Sequence, residues 1–109
     1  MIDIESLKMP TFFKFAWAKR SDKCQCGCGK YLGNFSTTKL DHLLEKAIYP
    51  ECKYSISNIF FVRSECHQKK TNGFPSQKHK ERINWAKDNY EILVKESKDW
   101  EQRFKKLIK

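Results

Sequence analysis

Three cysteines within five residues, Cys24, Cys26 and Cys28, constrain this chain more than any other feature. Cys52 and Cys66 bring the count to five, an odd number. Cysteines separated by a single residue are poorly placed to bridge each other, so thiolate metal ligation explains the crowding better than a disulfide framework. The surrounding segment 23–34 (KCQCGCGKYLGN) carries three glycines and reads as a knuckle-like loop, not a periodic element. The start of the chain, Met1-Ile2-Asp3-Ile4-Glu5, lacks the basic opening and apolar stretch of a secretory leader. The expected compartment is therefore a reducing cytoplasm, where thiols stay free to hold a metal.

At 109 residues the chain fits one domain, 1–109. A domain of this size buries a modest share of its surface, and a metal staple would help hold it. Lys and Arg number 22 against 13 Asp and Glu, a net charge of +9. Such an excess favours a polyanionic partner, nucleic acid first and an anionic membrane surface second. No run approaches the ~20 apolar residues that span a bilayer, so no membrane span is expected.

The coarse pattern mixes helix and strand. Residues 11–20 (TFFKFAWAKR) predict a short helix that Thr11, after Pro10, would cap. Residues 36–43 (STTKLDHL) read as a strand, as does Asn58-Ile59-Phe60-Phe61-Val62-Arg63. Between them Tyr49-Pro50 blocks a continuing helix. A short helix starting near Cys66-His67 must end before Asn72-Gly73-Phe74-Pro75. From 77 to 108 the sequence predicts one long helix, with Ile83, Ala86, Tyr90, Leu93, Ser97, Trp100, Phe104 and Leu107 on one face. That face would pack inside the chain or pair with a second copy as a homodimer.

Three segments carry chemistry together: Leu40-Asp41-His42-Leu43, the run from Asn58, and Glu65-Cys66-His67-Gln68-Lys69-Lys70-Thr71. They bring a carboxylate, two imidazoles and an amide to a strand pair and the helix after it. Phosphodiester cleavage needs an activated water, a cation on the phosphate and nearby positive charge. Asp and His from different elements can share a divalent ion, and a second His can take a proton from water near neutral pH. Asn can brace a backbone by hydrogen bonding.

The order D-H, then N before an apolar strand, then C-H-x-x-K-T resembles the motif of the His-Asn-His (HNH, ββα-metal) endonucleases, most closely their phage and bacterial members. The loop with its Cys28-Gly29 step resembles the zinc knuckle that many of them carry. The likeness covers about residues 24–75. It implies an α+β fold: a small ββα-metal, treble-clef-like core flanked by an N-terminal helix and a long C-terminal one. It further implies a metal-dependent DNA endonuclease that nicks or cuts both strands of double-stranded DNA. Asp41 and His67 would hold the catalytic cation, Mg²⁺ or Mn²⁺, with Zn²⁺ or Ni²⁺ as alternatives. His42 would be the general base, Asn58 would brace its loop, and Lys69 and Lys70 would contact phosphates.

The family's structural zinc takes two cysteines upstream and two downstream. Here Arg63 stands where the first downstream cysteine would be. Cys24, Cys26, Cys28 and Cys66 would make up the four ligands, with two alternatives: Cys24, Cys28 and Cys66 alone, or a set that includes Cys52. Otherwise Cys52 is a free thiol and His79 a solvated helix residue that can touch phosphate. The competing functions are a non-catalytic zinc-stabilised DNA- or RNA-binding protein, and a subunit of a larger nuclease or recombination complex.

Overall fold

In a computed structural model, the backbone of residues 4–108 and the side chains of 9–106 are described. Among the described residues the fold is α+β: four α-helices around a two-stranded antiparallel sheet. In chain order these are α1 (Ile4–Trp17), β1 (Leu40–His42), β2 (Ile59–Phe61), α2 (Ser64–Thr71), α3 (Gln77–Asp88) and α4 (Tyr90–Ile108).

The first helix begins earlier than its aromatic run suggests, so Pro10 lies inside it and Thr11 is not its cap. The strands are shorter than the β-prone runs that contain them. Residues 37–39 form a 3-10 turn instead, capped by the Ser36 hydroxyl, which accepts from the Thr38 amide. Asn58 closes a second such turn before β2. Pairing sets Leu40 opposite Phe61, Asp41 opposite Phe60 and His42 opposite Ile59. Bonds from the Val62 amide to the Lys39 carbonyl and from the Leu43 amide to the Asn58 carbonyl extend the ladder at both ends. Alternate residues on a strand face opposite sides, so Asp41 and Phe60 share one face of the sheet.

Helices cover both faces. His79 of α3 lies on the Phe60 ring, with centroids 4.7 Å apart. On the other side Trp17 of α1 meets Phe61 edge-on, and Phe13 lies near the His42 ring.

The single helix expected over 77–108 is two. At Asn89 the backbone leaves helical geometry, and the side-chain amide donates to the Trp85 carbonyl at 2.8 Å. An asparagine that bonds its own turn competes with the helical ladder, a local effect that apolar periodicity does not register. The break lets α3 reach the sheet while α4 crosses the connection between the strands. Leu93 and Phe104 of α4 are buried, as is the polar Ser97. Burial of each large apolar side chain is worth roughly 1.5–3 kcal/mol. The Phe104 ring packs edge-on against Tyr54, and Trp100 does the same against Phe12. The expected apolar face is thus used within the chain, although the Leu107 side chain lies outside the described residues. Among the described residues no helix is long and apolar enough to cross a membrane.

Candidate functional site

The cysteine loop folds back on itself through a bridge between Lys23 and Tyr31 and the bond from the Cys24 amide to the Lys30 carbonyl. Gly27 and Gly29 have φ of +93° and +80°, which L-residues with side chains rarely adopt, and these turns flank Cys28 within the loop. Gln25 fastens the loop to β2: its amide donates to the Phe61 carbonyl, and its side-chain oxygen accepts from the Phe61 amide at 2.8 Å.

The Sγ atoms of Cys24, Cys26, Cys28 and Cys66 all lie within 4.8 Å of one another. A tetrahedral zinc site with bonds of about 2.3 Å has sulfur–sulfur edges of about 3.8 Å. With edges of 3.1 Å (Cys24–Cys26) and 3.2 Å (Cys26–Cys66) and none above 4.8 Å, the cluster is near that size and could hold a structural metal such as zinc. Cys52 is buried elsewhere and is not part of it.

Burial pushes the thiols of Cys24 and Cys66 up to about 11, whereas backbone hydrogen bonding at Lys30 draws the exposed Cys28 down to about 7. Four thiolates so close together need a bound cation to be tolerable, since the buried members otherwise keep their protons. The Arg63 amide donates to Cys24 Sγ at 3.3 Å. Cys66 stands in the first turns of α2, so the cluster ties the loop to the helix that carries His67.

Asp41 is the centre of a second constellation. It is 3% exposed, and three side chains converge on its carboxylate. His67 Nε2 lies 3.2 Å from Oδ1, Lys70 Nζ lies 3.3 Å from the same oxygen, and His79 Nε2 lies 2.7 Å from Oδ2. Burial alone would raise the Asp41 pKa, but the bonds from His67 and His79 and the Lys70 charge hold it well below the usual carboxylate range. Asp41 is therefore ionised at neutral pH. The bond to Asp41 is the main reason the His67 pKa is raised, against the effect of partial burial. The other nitrogen of His67, Nδ1, is 2.7 Å from the Thr38 carbonyl, so it carries a proton and Nε2 is the atom turned to Asp41.

His42 comes from the same strand and lines the same cleft, of about 410 Å³, together with Asp41, His67, Lys70, Phe13, Glu45 and Lys46. Its Nε2 lies 2.9 Å from the Lys53 carbonyl. That contact requires a proton on Nε2 and leaves the Nδ1 lone pair free in the neutral ring. Burial, the leading cause, lowers the His42 pKa and so favours the neutral ring.

Asn58 is fully buried and does not enter the cleft. Its amide nitrogen donates to the carbonyls of Leu44 and Cys52, and its oxygen accepts from the Leu44 amide. It thereby fixes the chain just after His42.

The site residues expected from sequence thus divide clearly. Asp41, His42, His67 and Lys70 share one cleft, and Asn58 supports it from behind. Lys70 is turned inward to Asp41 and to the His42 carbonyl. Lys69 faces a different pocket, beside Cys26, Cys28 and Phe74.

His79 is not the solvated helix residue that its lysine-rich surroundings suggest. It is 1% exposed and bonded to Asp41. The signal was Ser76, which follows Phe74-Pro75 and caps α3 by accepting from the His79 amide at 3.1 Å. A cap there sets His79 in the first turn, where the helix meets the sheet. Compared with known proteins, the chain matches no family model, no curated protein and no solved structure.

Proposed function

We propose that this protein is a divalent-metal-dependent DNA endonuclease of the HNH type, with β1, β2 and α2 as its ββα-metal core. The observation that carries this is the 3.2 Å approach of Asp41 Oδ1 and His67 Nε2 in a cleft that also holds His42. Two ligands on an octahedral cation with bonds of about 2.1 Å stand about 3 Å apart, so the pair fits as a chelating edge. The donor set, one carboxylate oxygen and one imidazole nitrogen, suits Mg²⁺ or Mn²⁺, and also accepts Zn²⁺ or Ni²⁺. When bound, the cation would neutralise charge on the scissile phosphate and on the leaving oxygen.

The chain's own groups do the rest. His42 Nδ1 takes the proton of the attacking water while Nε2 stays anchored on Lys53. The water oxygen forms a bond to phosphorus as the bond to the leaving oxygen breaks. Thr38 fixes the His67 ring, and Asn58 holds the turn that follows His42. Lys70, whose Nζ lies 3.3 Å from Asp41 Oδ1, would supply positive charge to the phosphate, and Lys46 lines the same cleft. The cysteine cluster, loaded with zinc, anchors α2 and so His67. With a net charge of +9, the favoured partner is double-stranded DNA bound through its backbone, with little base specificity.

One observation favours a second function, zinc-stabilised nucleic-acid binding without cleavage: the Lys70 ammonium already neutralises Asp41 without a metal. Supercoiled plasmid incubated with Mg²⁺ or Mn²⁺ and either wild type or His42→Ala separates the two. The endonuclease nicks the plasmid as wild type and loses at least two orders of magnitude in rate without His42, in line with the loss of a general base (about 10²–10⁴-fold). A protein that retards DNA in a gel but never nicks it is the binder.

A further inference from the structure

His79 lies outside the three segments that make up the motif, on a helix after the segment that carries Cys66, and yet it makes the closest contact to Asp41. Its Nε2 is 2.7 Å from Oδ2, while His67 and Lys70 both approach Oδ1. The two carboxylate oxygens are thus divided between two tasks, one held from behind and the other turned to the cleft. Three features lock the His79 ring. It is 1% exposed, it packs at 4.7 Å against Phe60, the cross-strand partner of Asp41, and its backbone amide is held by the Ser76 cap. At 2.7 Å the contact is a hydrogen bond, so Nε2 carries a proton and is not a lone pair offered to a cation.

We propose that His79 is a positioning residue: it clamps Oδ2 of Asp41 so that Oδ1 is presented, together with His67 Nε2, to the divalent cation. This rests on the endonuclease function proposed above. A carboxylate with one oxygen clamped cannot swing about its terminal torsion, and its free oxygen stays aimed at one point. Loss of a hydrogen-bond partner behind a metal ligand typically costs about 10–100-fold in metal affinity. Because His79 is carried by α3, the cation site is coupled to a helix that contributes nothing else to the cleft.

The test is Mn²⁺ titration by calorimetry on the full, zinc-loaded chain without nucleic acid, comparing wild type, His79→Phe and His79→Gln. Phe keeps a ring against Phe60 but removes the N–H, and the Gln amide nitrogen can replace Nε2–H. The expected result is a Mn²⁺ dissociation constant about 10–100-fold weaker in His79→Phe, largely recovered in His79→Gln, with unchanged zinc content. Equal affinity in wild type and His79→Phe overturns the positioning role alone. So does a Gln variant as weak as Phe. Wild type that binds no Mn²⁺ overturns this role and the endonuclease function together. Should the Phe variant fold poorly, nitrogen NMR of the wild-type imidazoles decides. His79 Nε2 is expected to keep its proton when Mg²⁺ is added, and its loss would overturn the clamp.

Discussion

Asn58 and Leu44 exchange two hydrogen bonds across fourteen residues of chain: the Leu44 amide donates to Asn58 Oδ1 at 2.9 Å, and Asn58 Nδ2 donates to the Leu44 carbonyl at 3.2 Å. A side-chain amide is here treated as if it were a strand partner. It replaces the ladder where β1 ends and holds in place the turn that follows His42. In Asn58→Ala the Cys52 carbonyl keeps the Ser55 amide, but two buried backbone groups, the Leu44 amide and carbonyl, are left without partners. Each costs about 1–3 kcal/mol, so thermal melting should fall by roughly 10 °C or more. A shift within a degree or two would mean that the turn holds itself.

How much of this was legible beforehand depended on whether a residue acts through its neighbours in sequence or through distant packing. That Asp41, His42 and His67 meet in one cleft could be expected because each sits in a short segment whose order and spacing carry the resemblance. The cysteine set could be read because a tetrahedral site needs four thiols and few were on offer. His79 was only partly legible: Ser76 marks the start of its helix, but its inward orientation depends also on the packing of α3 against the sheet. Apolar periodicity ran through Asn89 unbroken, since Ala86 and Leu93 keep their spacing on either side of it. The two interlocking bonds between Gln25 and Phe61 were equally hidden, because glutamine in a loop has no preferred partner.

If the four-cysteine cluster holds zinc, the protein should carry one tightly bound zinc per chain. Cys66→Ser removes a ligand that also anchors α2, and should release zinc and lower the melting temperature, whereas Cys52→Ser should leave the zinc content unchanged. Colorimetric zinc release and thermal melting measure both. Equal zinc content in wild type and Cys66→Ser would refute the four-thiol assignment.

The pH dependence follows from His42. Burial lowers its pKa from the ordinary 6.5, with the Lys46 and Lys70 charges acting in the same direction, against the Lys53 carbonyl and Asp41. In the proposed role the base works in its neutral form, so cleavage should be lost as pH falls through this lowered value. The acid limb of the rate profile should therefore lie below pH 6.5, with the neutral ring the major form at pH 7. A midpoint above 6.5 would show that another group limits the rate.

Binding to DNA should weaken steeply with salt, because contacts to the backbone release counterions. Lys70→Ala should reduce the rate of nicking more than binding, since its ammonium lies inside the cleft and not on the surrounding surface. Gel retardation and nicking across a salt series distinguish the two effects. Equal losses in both would make Lys70 an ordinary backbone contact.

The most direct test of the account is where a divalent cation binds. Anomalous diffraction from crystals of the zinc-loaded protein soaked in Mn²⁺ should show a manganese peak within bonding distance of both Asp41 Oδ1 and His67 Nε2, and no such peak in Asp41→Ala. Manganese bound only elsewhere, or Lys70 still seated on Asp41 at saturating Mn²⁺, would contradict it.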